Sequence, residues 1–147
     1  TLPGLFAAVA AAHPDAPALA GPDLATGERT ELDYRALDAA ANALARDLAA
    51  HGVRPQDRVA VMLPRTVEAV VALLAVAKTG AVYLPVDPDY PPDRIAHMLT
   101  DAAPTLVLTA PGTPAFDGAP RLEIDGDLPT GTADDPGLWR TQRPDAA

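Results

Sequence analysis

Between Arg58 and Thr109 the chain reads Arg58-Val59-Ala60-Val61-Met62-Leu63, then TVEAVVALLAVAKT from Thr66 to Thr79. Ala81-Val82-Tyr83-Leu84-Pro85-Val86 follows, then PDRIAHMLTDA from Pro92 to Ala102 and Thr105-Leu106-Val107-Leu108-Thr109. Three short apolar runs alternate with two stretches long enough for helices. Thr66 stands where an N-cap belongs, Glu68 suits the positive end of the first helix, Lys78 suits its negative end, and Gly80 follows as a stop. Strand, helix, strand, helix, strand at this spacing is the pattern of parallel strands joined by right-handed crossovers. The expected fold class is α/β, with a parallel βαβαβ core. The Thr66–Thr79 helix is apolar nearly all round between its terminal charges, so it is expected to be covered on more than one side.

N-terminal to this core, Leu2 to Ala12 reads as a short helix ended by His13-Pro14, because proline disfavours helical geometry in the residue before it. Ala16–Ala20 and Arg29–Leu32 are short extended runs around the turn-rich stretch from Gly21 to Gly27, which predicts a hairpin with a long loop. Asp33 then caps an amphipathic helix with Tyr34, Leu37, Ala40, Ala41, Leu44 and Leu48 on one stripe. Arg35, Asp38, Asn42 and Asp47 fall mostly off that stripe, and Gly52 is a C′ glycine. From Ala110 prolines and glycines recur, and only Arg121–Ile124 reads as a further short strand. Residues 1–109 are therefore expected to be the folded α/β part, and 110–147 a Pro/Gly-rich extension carrying Trp139.

Composition narrows the chemistry. The 147 residues contain no Cys and no Ser, and Lys78 is the sole lysine beside ten arginines. Disulfides, thiolate nucleophiles, cysteine zinc sites and serine-nucleophile mechanisms are excluded for this polypeptide. A formal net charge of −9 opposes a nucleic-acid surface, which needs clustered basic charge. Leu5–Ala12 is too short to span a membrane. These features together lead us to expect a soluble cytoplasmic protein. The absence of an initiating Met leads us to expect a piece of a longer chain.

Local catalytic strings dissolve on inspection. Lys78-Thr79-Gly80 matches the end of a phosphate-binding loop but lacks the preceding glycine, and matches the K-T-G of penicillin-recognising enzymes but has no serine to serve. Asp87, Asp89 and Asp93 resemble a calcium loop, yet Pro88, Pro91 and Pro92 interrupt them and no glycine is present. Asp87 does follow the carboxyl end of a strand, where α/β sheets bind ligands. Glu123, Asp125 and Asp127 read as a solvated turn. His13 and His51 end helices and His97 lies within one, with no metal-ligand spacing among them. No G-x-G-x-x-G occurs. The expectation is that the chain contains no catalytic, cofactor-binding or metal-binding residue.

Two strings are nonetheless specific. Leu32-Asp33-Tyr34-Arg35-Ala36-Leu37, with Asn42, Leu44, Ala45 and His51-Gly52-Val53, resembles the first core motif of adenylation domains in nonribosomal peptide synthetases. Ala77-Lys78-Thr79-Gly80-Ala81-Val82-Tyr83-Leu84-Pro85-Val86-Asp87 resembles the second, and Pro88-Asp89-Tyr90-Pro91-Pro92-Asp93-Arg94-Ile95 is similar to the segment after it. Arg58–Leu63, Arg65-Thr66, Glu68, Thr100-Asp101-Ala102, Pro104 and Leu106–Thr109 match the connecting stretches. The family-motif residues of interest are Leu32, Asp33, Tyr34, Leu37, Lys78, Gly80, Tyr83, Pro85, Asp87, Tyr90, Pro91 and Arg94, expected to be structural. The family's first motif usually has Thr or Ser at 33 and Glu at 36, a capping box; Asp33 keeps the cap and Ala36 loses the reciprocal bond. Thr79 replaces the family's usual alanine. Acyl-CoA ligases share the fold but usually carry an Asn or another residue where Asp87 stands and lack the Tyr90-Pro91-x-x-Arg94-Ile95 continuation. Standalone D-alanine ligases are nearer. The Tyr83-x-Pro85-x-Asp87-Pro88-x-Tyr90-Pro91 string favours a peptide-synthetase module over both.

The resemblance implies the N-terminal part of the larger subdomain of an adenylate-forming enzyme, spanning residues 1–147 as a truncated adenylation domain. It implies amino-acid activation by Mg-ATP to an aminoacyl-adenylate, then transfer to a carrier-protein phosphopantetheine thiol. The phosphate loop, the amino-acid pocket and the catalytic lysine of such domains are expected after Ala147, so the 147 residues alone are expected to be inactive. The implied partners are the rest of the adenylation domain, condensation and carrier domains, and a helper protein of the MbtH-like kind. The alternatives are a stand-alone docking module and a fragment of an acyl-CoA ligase. Exposed sheet edges, and with them self-association, are expected of the isolated chain.

Overall fold

The computed structural model describes residues 1–114, 116, 119–125 and 141–142. Its elements are α1 (Leu2–Ala12), β1 (Pro17–Pro22), β2 (Arg29–Asp33), α2 (Tyr34–Ala50), β3 (Arg58–Met62) and α3 (Val67–Thr79). They continue with β4 (Val82–Pro85), α4 (Pro92–Ala102), β5 (Leu106–Thr109), β6 (Arg121–Ile124) and β7 (Thr141–Gln142). β1 and β2 pair antiparallel as the expected hairpin, with an irregularity between Pro17 and Leu19. The main sheet runs β4-β3-β5-β6-β7. β4, β3, β5 and β6 are parallel to their neighbours, and β7 joins antiparallel to β6.

That strand order places the helices. The chain passes from β3 to β4 on one side, then returns across β3 to β5. With right-handed crossovers, this reversal puts α3 and α4 on opposite faces of the sheet. The side chains agree. Val59, Val61, Leu106, Leu108, Leu122 and Ile124 point into a core shared with α2 and α3, whereas Ala60, Met62 and Val107 meet Leu99 of α4, as the period-two alternation of strands requires.

The sequence caps act as read. Asp33 Oδ1 accepts from Ala36 N–H at 2.8 Å, and Thr66 Oγ1 from Ala69 N–H at 3.3 Å. α2 ends in a Schellman closure: Val53 N–H returns to Leu48 O at 3.0 Å and Gly52 N–H to Ala49 O at 3.0 Å, while Val53 and Leu48 are both buried. Gly80 ends α3 at φ 78°, and a Cβ there would lie 3.3 Å from Pro55 Cβ, so both backbone and space demand glycine.

α3 is the central helix. None of its residues is exposed, because α2, α1, the hairpin, β3 and β4 all pack around it. The stripe on α2 is wider than its large residues indicate, since Ala39 and Ala43 are buried as well. β7 was not legible in the sequence: two residues carry no alternation, and their strand character comes from pairing with β6. Trp139 and Asp127 lie outside the described residues.

Candidate functional site

The carboxyl ends of β3 and β4 border a groove of about 720 Å3, lined among others by Leu63, Arg65, Tyr83, Asp87, Asp89 and Tyr90. This is the side on which open parallel sheets bind ligands. A smaller apolar pocket of about 100 Å3 lies beside it, between Met62, Pro88, Tyr90, Ile95, Pro114 and Phe116. Tyr90 therefore separates two concavities.

The segment leaving β4 is fastened to itself. Asp87 Oδ1 accepts from Asp89 N–H at 2.9 Å, and Asp87 O accepts from Tyr90 N–H at 3.1 Å. This is an Asx-type turn. Pro91 and Pro92 then open α4, proline being tolerated there because first-turn amides have no helical partner. The guanidinium of Arg94 stacks 4.0 Å from the centre of the Tyr90 ring. Tyr83 is half-buried on β4, and burial pushes its phenol up. Asp87 and Arg94 are exposed, and Pro85 lies on β4, at one end of the main sheet's strand order.

The other motif residues lie around the first turn of α2 and the last turn of α3, two segments about 40 positions apart in sequence. Leu37 is buried and Leu32 packs on the same core. The Tyr34 ring meets Phe6 of α1 at 5.9 Å, tilted by 44°. Lys78 Nζ donates to Asp38 Oδ1 at 2.9 Å, Asn42 donates to the other Asp38 oxygen at 3.4 Å, and the ammonium lies 5.8 Å from the Phe6 ring. With side chains only 15% and 26% exposed, this pair joins α3 to α2 and touches α1. Sequence reasoning gave Lys78 a dipole role and placed Asp38 on the solvent side. The one available signal was that Asp38 and Asn42 sit four residues apart, on one helical row.

The remaining candidates stay separate. His51 Nδ1 lies 2.7 Å from Asp47 O, His97 pairs with Asp101 at 3.3 Å on the surface, and His13 caps α1. Glu123 pairs with Arg121 at 3.1 Å. Among the described residues no group of three or more His, Asp or Glu is arranged to hold a metal ion, and no helix is long and apolar enough to cross a membrane. The side chains brought together here supply caps, a turn, an ion pair and ring contacts.

Comparison with known proteins supplies the context. The model of the AMP-binding enzyme family matches residues 6–140. The probable non-canonical nonribosomal peptide synthetase CymA of Salinispora arenicola is 43% identical over 99% of this chain, which spans 2% of CymA. A dimodular nonribosomal peptide synthase of Bacillus subtilis is 46% identical over 84% of the chain and 5% of its own length. The crystal structure of CmiS6 superposes with a TM-score of 0.76 at 30% identity, covering 97% of this chain and 32% of that one. This chain thus spans a small part of the proteins it matches. It belongs to the AMP-binding enzyme family and corresponds to the N-terminal part of a nonribosomal peptide synthetase adenylation domain.

Proposed function

We propose that the chain is the scaffold portion of a domain that activates an amino acid with Mg-ATP and passes the acyl group to a carrier-protein phosphopantetheine thiol. The observation that carries this reading is the family match across residues 6–140, reinforced by synthetase relatives at 43% and 46% identity. In this reading Leu32, Asp33, Tyr34, Leu37, Lys78, Gly80, Tyr83, Pro85, Asp87, Tyr90, Pro91 and Arg94 are structural, and residues 110–147 extend an α/β part formed by 1–109. The working partners are the remainder of the adenylation domain, neighbouring condensation and carrier domains, and an MbtH-like helper, all in the cytoplasm.

The described residues do not fit a nucleotide or magnesium site by themselves. The Asp87 oxygen nearest a donor is occupied by Asp89 N–H, α4 opens on two prolines, and α3 is preceded by Pro64-Arg65 rather than a glycine-rich phosphate cradle. ATP and Mg2+ are accordingly assigned to other residues of the domain, and no step of the reaction is routed through this chain. Amino-acid-dependent ATP–pyrophosphate exchange tests the reading. The purified 147 residues are expected to give none, while a longer polypeptide that adds the phosphate loop and the rest of the domain turns over. Exchange by the 147 residues alone would overturn it.

A further inference from the structure

Glu68 stands in the first turn of α3 and is wholly buried, at 0% exposure. Its Oε1 accepts from the backbone N–H of Leu24 at 3.0 Å, across 44 residues of sequence. Its Oε2 has no hydrogen-bond partner among the described residues. Leu24 lies in the loop between β1 and β2, so the bond ties the hairpin to the central helix. Elsewhere that interface is mostly apolar: Gly21 lies against Val67, and Leu19, Val70, Leu73 and Tyr83, together with Arg65 and Thr66, line a shallow groove of about 300 Å3.

We propose that Glu68 is a proton-linked latch that holds the β1–β2 hairpin on α3. A buried carboxylate with one oxygen unpaired is costly as an anion and much less so as an acid. The surroundings reinforce this. Asp23, next to Leu24, is the facing charge from the hairpin. Hydrogen bonds from Thr26 hold Asp23 below its ordinary value, so it stays anionic. Among the described residues, α1, α2, β3 and β4 contribute no charge acting on Glu68. Burial first, and then Asp23, raise Glu68 above its ordinary value near 4.5, outweighing the Leu24 amide and its own N–H.

The direction of the linkage follows. When the hairpin lifts, Glu68 reaches water and ionises at its ordinary value. Closed and open forms then differ by one proton between that value and the raised one. The latch is strongest below the ordinary glutamate value and weakens as pH rises through the raised value, by up to about tenfold in the opening equilibrium per pH unit. Above the raised value the dependence flattens.

Hydrogen exchange of the Leu24 amide in the full 147-residue chain, expressed as a protection factor from pH 4.5 to 8, reads the latch directly. The wild-type protection factor is expected to fall with pH, while that of Glu68→Gln, which keeps an acceptor and cannot ionise, stays level. Glu68→Leu is expected to lose protection at Leu24 by about tenfold or more, with the amides of β3 and β5 unchanged. Parallel pH profiles for wild type and Glu68→Gln would overturn the proposal, as would full Leu24 protection in Glu68→Leu. If Glu68→Leu fails to fold, the wild-type and Glu68→Gln profiles alone decide.

Discussion

The two faces of the main sheet are built unequally. On one, α2 and α3 with the hairpin bury a continuous cluster from Leu37 through Leu44 and Val71 to Ile124. On the other, α4 contributes a single buried residue, Leu99, to a small group with Ala60, Met62, Val86 and Val107. Both helices come from the same βαβ logic, yet α3 has no exposed residue and α4 exposes most of its length. The crossover fixes which face a helix takes, and neighbours decide how deeply it sinks. α3 meets α1, α2 and the hairpin as well as the sheet, whereas α4 meets the sheet and the segment around Phe116 and Ala119.

This inequality orders the expected effects of mutation. Leu44→Ala, at a fully buried position beneath α3, is expected to cost about 3–4 kcal/mol in urea unfolding of the 147-residue chain. Leu99→Ala is expected to cost less, about 2 kcal/mol, because the half-covered Ile95 and Met98 can close over the space. Equal losses at the two sites would erase the distinction between the faces.

A medium effect is expected at the polar seam inside the thick face. Lys78→Met removes the partner of Asp38 at a site where neither side chain is more than 26% exposed. It is expected to cost about 1–3 kcal/mol, because a shielded carboxylate loses its counter-charge and keeps only the long Asn42 contact. Adding Asp38→Leu should return part of that loss, and a double-mutant cycle with no coupling would show that the pair is merely adjacent. The smallest effect lies at the entrance of α2. Asp33→Ala removes the cap to Ala36 and should lower stability by about 1 kcal/mol, read as a small shift of the urea midpoint.

What the sequence revealed, and what it hid, divides along the same physical lines. Local signals were legible: the apolar run from Val59 to Met62, the caps at Asp33 and Thr66 and the stop at Gly80 all depend on residues within a few positions of one another. The Asp38–Lys78 pair and the Glu68–Leu24 bond join residues 40 and 44 apart, and no periodicity announces which polar residue of a helix will face another helix. Glu68 is legible in the sequence only as an acid suited to the helix dipole, because its type is seldom buried and no local pattern marks this one as an exception. β7 escaped for the opposite reason, being too short to carry any pattern. The site was legible chiefly through motif resemblance, since its residues make caps and turns instead of a catalytic cluster.

The central claim is that the motif residues of this chain hold the scaffold and do not take part in the chemistry. ATP–pyrophosphate exchange by a polypeptide carrying this chain together with the rest of the adenylation domain, measured for wild type and Lys78→Met alongside thermal unfolding, tests it most directly. We expect the variant to melt earlier while the turnover of its folded fraction stays within about twofold of wild type. A fall of about a hundredfold or more in turnover, with an unchanged melting temperature, would place Lys78 in the reaction and contradict the account.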